Sequence, residues 1–138
     1  MKSNIRGFTL VELLVVLIIL GLVASIAGPN VMKYLGTSKA KTARLQLKEI
    51  ESSLELFFLD TGKYPSSGVG LKALIKNDES VIGWNGPYFK KAVVPDDPWG
   101  NPYVYVVPGE HGAFDLSSLG ADNQPGGEGD AQDIHNWE

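Results

Sequence analysis

The 138-residue chain contains no cysteine, which removes disulfides, thiolate catalysis and thiolate metal sites together. A small exported domain without that staple must hold its loops by other means. A basic excess is also missing. Twelve lysines and arginines stand against 16 aspartates and glutamates, a net charge of −4, so there is no broad cationic surface for nucleic acid. His111 and His135 have neither a nucleophile nor paired ligands in their surroundings, and no glycine-rich phosphate loop occurs. An enzyme is not expected. Trp84, Trp99 and Trp137 read as core residues of a small β-region rather than as a ligand platform.

What is present is a long apolar run. From Phe8 to Gly28 the sequence FTLVELLVVLIILGLVASIAG has one charge, Glu12, and its 21 residues are enough to span a bilayer. Lys2 and Arg6 precede it without an acid, so the start is expected in the cytoplasm and everything after Gly28 across the membrane. A cleaved secretory signal uses the same residues, with Lys2 and Arg6 as its n-region and Ser25-Ile26-Ala27 as its cleavage site. Glu12 weighs against it. An acid inside an apolar segment costs roughly 2.5–3.5 kcal/mol on insertion, and a disposable signal has no use for it.

A carboxylate in a low-dielectric surrounding persists by meeting a cation or by taking up a proton. The nearest cation would be a new α-amino group at Phe8, one helical turn away, created only if the chain is cut after Gly7. That amine could pair with Glu12 of its own chain or of a neighbour. The second pairing would pin the register of an assembly, as buried polar residues do in coiled coils.

Beyond the apolar run, Ala43, Leu47, Ile50, Leu54, Phe57 and Phe58 recur at spacings of three and four among charged residues. The same helix is therefore expected to continue as an amphipathic one and to end near Asp60, where Thr61-Gly62 and Tyr64-Pro65 stop it. From Phe8 to Asp60 it would reach about 80 Å. Pro29, with Gly21 and Gly28 nearby, predicts a kink or local melting. Leu71 to Ile75 reads as a short amphipathic helix. Tyr103 to Val107 and Ala113 to Ser118 read as strands of a hairpin joined by Pro108 to Gly112, after a tight turn at Asp97-Pro98-Trp99-Gly100-Asn101-Pro102. The expected fold is α+β, a long N-terminal helix packed on a small antiparallel sheet. The expected division is a leader at residues 1–7, an apolar helix at 8–28 and a globular part at 29–138 that includes the second half of the helix.

The string Arg6-Gly7-Phe8-Thr9-Leu10-Val11-Glu12 before an apolar run resembles the leader junction of type IV pilins and pseudopilins. Five further segments narrow the likeness: Gly70 to Leu74, Trp84 to Tyr88, Asp97 to Tyr103, Ser118 to Asp122 and Asp133 to Trp137. In this order they resemble the major pseudopilins of the type II secretion system, the G subunits. The resemblance implies cleavage between Gly7 and Phe8 by a prepilin peptidase, methylation of the new Phe8 amine, and subunit docking through Glu12. It also implies a homopolymer in the periplasm, grown from the inner membrane with minor pseudopilins, an assembly platform and that platform's cytoplasmic ATPase, which exports folded proteins. A type IV pilin of a surface fibre is the nearest rival, and a signal-anchored calcium-binding module is a rival of another class.

Asp122 to Asp133 carries four acids, Asp122, Glu128, Asp130 and Asp133, with three glycines. On chemistry alone this is either a solvated acidic loop or a site for Ca²⁺, whose hard charge suits oxygen ligands. It is not an EF-hand, because Gln124 and Gly126 stand where that pattern needs Asp or Asn. The resemblance implies calcium, with Asp122, Asp133 and Asp130 as side-chain ligands and the carbonyls of Leu119 and Gln124 as backbone ligands. Gln132 stands where some relatives carry another Asp, so the choice between positions 130 and 132 stays open.

Overall fold

The computed structural model describes residues 7–138. Residues 1–6 of the leader, with Lys2 and Arg6, lie outside the described residues. One helix, α1, runs from Leu10 to Thr61. Pro29 lies within it, so the expected melting is not observed. Pro29 has no N–H to give the Ser25 carbonyl, a cost of about 3 kcal/mol inside a helix, and the side-chain bonds beside it go to other carbonyls. Ser25 Oγ donates to Leu22 O at 2.8 Å and Asn30 Nδ2 to Ile26 O at 3.4 Å. At the other end Gly62, at φ +74°, donates its N–H to Phe58 O at 2.7 Å, which closes the last turn as a C-terminal glycine does.

The chain divides into two compact units between Leu35 and Gly36. In the first, every described residue is exposed. α1 contains a stretch long and apolar enough to cross a membrane.

In the second unit the buried face of α1 is a heptad stripe. Gly36, Ala43, Ile50 and Phe57 repeat every seven residues, with Leu47 and Leu54 between them. Phe58 is off this stripe, 38% exposed, and stacks on Tyr64 instead at 4.8 Å. The stripe packs with Leu71, Leu74, Phe89, Tyr103, Phe114, Leu116 and Ile134 in one core. Each large side chain so buried contributes about 1.5–3 kcal/mol.

The sheet has three strands in the order β1 (Val104–Val106), β2 (Asp115–Ser118), β3 (Ile134–His135), all antiparallel. Tyr105 pairs with Leu116 and Ser118 with Ile134. The hairpin is as expected but its strands are shorter, and β3 is an addition. Two residues carry no alternation from which to read a strand. Gly70–Leu74 forms a 3-10 segment rather than an α-helix, in keeping with its five residues. Trp84 and Trp99 pack against the core partly buried.

Candidate assembly site and acidic loop

At the start of α1 the Thr9 N–H donates to Glu12 Oε2 at 3.0 Å, and the Thr9 hydroxyl donates to the same oxygen at 3.1 Å. The Glu12 N–H donates back to Thr9 Oγ1 at 3.2 Å. This reciprocal arrangement is a capping box. It places the one carboxylate of the apolar segment beside the exposed first amides of the helix, where the helix dipole favours negative charge. Phe8 immediately precedes it, 85% exposed, and Gly7 is exposed as well. The Thr-x-x-Glu spacing was visible in the sequence, but the acid drew attention for its cost in lipid and not for the threonine three residues before it.

The acidic loop is wound tightly on itself. The Ala121 N–H donates to Asp130 O at 2.8 Å, and Gly120, at φ +64°, approaches the carbonyls of Asp130 and Ala131 so closely that a Cβ there would meet them. Asp122 Oδ1 accepts the Gln124 N–H at 3.2 Å, and Asp133 Oδ2 accepts the Gly126 N–H at 2.9 Å. Asp133 Oδ1 is buried without a hydrogen-bond partner. Such an oxygen is costly unless something positive or a donor meets it. Asp130 begins from the 3-10 turn Gly129–Ala131, and its carboxylate lies against Gly36 of α1. Leu119 follows the end of β2 half-buried, while Gln124 and Gln132 are exposed. Among the described residues no three acidic or histidine side chains converge as a metal-holding group.

The base of this loop is held by a residue that sequence reading assigned only to a turn. Asp97 is buried; its Oδ1 accepts the N–H groups of Trp99 at 3.0 Å and Asn101 at 2.8 Å, and its Oδ2 accepts the Ser118 hydroxyl at 2.6 Å. Asn101 Nδ2 in turn donates to Gly120 O at 2.9 Å. The Asp97 to Asn101 turn and the Ser118 to Gly120 segment are thereby stapled together, which answers in part what replaces a disulfide. An aspartate three residues before a glycine, a turn pattern, is the only sequence signal for it.

The histidines have packing roles. Trp137 stacks with His111, with centroids 4.0 Å apart and planes 4° apart, and with His135, at 4.2 Å and 18°. Trp137 itself is 38% exposed, so unlike Trp84 and Trp99 it does not join the core expected for it. His111 Nδ1 lies 3.0 Å from Asp115 Oδ2, and Asp115 also accepts the N–H groups of Glu110 and His111. Desolvation works to raise the Asp115 pKa, but the bonds from His111 and these amides outweigh it and hold the carboxyl below its ordinary range.

Comparison with known proteins covers nearly the whole chain. The family described as "Type II secretion system (T2SS), protein G" matches residues 30–137, and the "Prokaryotic N-terminal methylation motif" matches residues 2–28. The type II secretion system core protein G of Pseudomonas aeruginosa is 44% identical over 136 residues, covering 96% of this chain and 94% of that protein. The protein of the same name from Vibrio cholerae is 41% identical, covering 95% of this chain and 90% of its own length. The crystal structure of the major pseudopilin from the type 2 secretion system of enterohaemorrhagic Escherichia coli superimposes with a TM-score of 0.65 at 30% identity. It matches 79% of this chain and 95% of that one.

Proposed function

This chain belongs to the protein G family of the type II secretion system, and from that premise we propose how its two sites serve a filament. It is a subunit of the pseudopilus and not an enzyme. It carries the N-methylation motif acted on by prepilin peptidase, and its apolar N-terminal helix fits an inner-membrane anchor. The surface-fibre pilin and the calcium-binding module give way to this reading.

Our proposal for the first site is that the peptidase cuts between Gly7 and Phe8 on the cytoplasmic side and that the globular unit stands in the periplasm. The capping box carries the argument: before assembly the Glu12 carboxylate is satisfied by Thr9 of its own chain. A methylated Phe8 amine from a neighbouring subunit offers it a full positive charge instead, and that exchange fixes each subunit's register as it leaves the bilayer. Growth of the polymer, driven by the platform's ATPase and begun by minor pseudopilins, then moves folded proteins outward.

The test is expression of the chain in a type II secreting strain that lacks its own major pseudopilin. The wild type should begin at N-methylated Phe8, form filaments and restore secretion. Glu12→Val should still insert and be cut, yet assemble no filament. A chain starting near Gly28, or normal filaments from Glu12→Val, would overturn the reading.

For the acidic loop we propose calcium, held by the carboxylates of Asp122 and Asp133 and the carbonyls of Leu119 and Gln124. Support comes from the buried, unpartnered Asp133 Oδ1 and from an all-oxygen donor set. Bound Ca²⁺ would cross-link a loop that has no disulfide. Chelation should then lower the melting temperature, and Asp122→Ala should remove that response. An unchanged melting temperature would leave a plain acidic loop. Asp130, expected in the same set, has its carboxylate at Gly36.

A further inference from the structure

The heptad stripe of α1 tapers. Phe57, Leu54, Ile50 and Leu47 fill its C-terminal part, whereas Ala43, Ala40 and Gly36 form its N-terminal part. Gly36 is the first buried residue of the helix, and the positions on either side of it are exposed. A residue with no side chain can be buried only if another group comes down onto the backbone. That group is Asp130: a Cβ built on Gly36 would collide with Asp130 Oδ1 and lie 2.9 Å from its Cγ. The other end of the same residue is fixed too, because Asp130 O accepts the Ala121 N–H at 2.8 Å. The 3-10 turn Gly129–Ala131 is thus tied through its backbone to the start of the acidic loop and through its one carboxylate to the helix.

We infer that Gly36 is a notch in α1 that receives Asp130, and that this pair positions the acidic loop on the helix while Asp130 stays outside the metal's ligand set. The taper follows from the inference. Large side chains serve where the sheet packs, and small ones where a loop must touch the helix backbone. The positioning role for calcium rests on the reading of the loop given above, but the contact itself does not.

The test is a cycle of Gly36→Ala, Asp130→Ala and the double variant in the full-length chain in detergent. Two readouts are taken: calcium affinity by titration calorimetry, and melting temperature in excess chelator. Gly36→Ala should weaken calcium binding about tenfold and lower the metal-free melting temperature by about 5 °C, the scale of an overpacked contact. Asp130→Ala alone should leave calcium affinity within about threefold of wild type, and the double variant should match its affinity and melt no lower than it, because removing the carboxylate makes room for the new methyl and alanine is the better helix former. If the double variant keeps the whole Gly36→Ala defect, the notch does not receive Asp130. If Asp130→Ala loses calcium as Asp122→Ala is expected to, Asp130 is a ligand. Should the wild type bind no calcium, the calcium reading fails by itself, and the metal-free melting cycle still decides the notch.

Discussion

Residues 10–35 and 36–61 of α1 share one secondary structure and differ in almost everything else. In the first segment Leu17, Ile18 and Leu20 are 62%, 54% and 58% exposed. In the second, Ala43, Ile50 and Leu54 are fully buried. Backbone hydrogen bonds are satisfied within a helix in either case, so helicity does not require a folded core. Burial does. An apolar surface this continuous is not left to water by a stable protein, and it fits an anchor in the inner membrane. Folding buries one face of the second half of the helix and leaves the described first half exposed.

Core substitution breaks the comparison most sharply. Phe57→Ala should cost the second unit about 3–5 kcal/mol, read as a fall in its melting temperature. Leu17→Ala, in the first unit, should leave that melting within about 0.5 kcal/mol of wild type. Equal effects would mean that the two segments fold as one. Next in size is Asp97→Ala, expected to cost about 2–4 kcal/mol because it strands the Trp99 and Asn101 amides and the Ser118 hydroxyl. A loss confined to calcium affinity, with melting unchanged, would sink its role as a staple.

Much of this was legible in the sequence, for reasons that differ between regions. The apolar run and the 43/47/50/54/57 stripe are periodic, and periodicity survives without coordinates. The β1–β2 hairpin was marked by aromatic and β-branched runs around a proline and glycine turn. β3 was not, because its partners are chosen by the loop before it. Asp97 looked like a turn residue because its bond to Ser118 spans 21 positions, and no local pattern announces it. Gly36 was silent for the same reason: its significance lies in Asp130, 94 positions away. Sequence spacing counted the acids of the loop correctly but could not say which of them turn inward.

Two weaker effects separate the regions by pH. Burial raises the pKa values of Tyr103 and Tyr105, with smaller contributions from the charge of Asp97 on the first and from Tyr64 on the second. An unfolded chain ionises its tyrosines near about pH 10. Because the folded values are higher, their stabilisation is complete below about pH 10 and is lost as pH rises beyond it. The melting temperature of the second unit should therefore fall in that range, and Tyr105→Phe should make the fall shallower. A flat profile up to pH 11 would contradict it.

The smallest expected effect is at the acid end. Asp115 is held below its ordinary range in the fold, with an unfolded reference near about 3.9, so its contribution is present above about pH 4 and lost as pH falls through the folded value. Asp115→Asn removes the charge and one of the two acceptor oxygens that order His111, and so loosens its stack on Trp137. At neutral pH the variant should melt slightly below wild type, and as pH falls below about 4 the two curves should converge. The α1 helicity of residues 10–35 has no part in this pair, so circular dichroism of that segment in detergent should not follow the change. Curves that stay parallel through the acid limb would mean that the Asp115 charge does not hold this corner, and that the two stacked rings hold Trp137 without it.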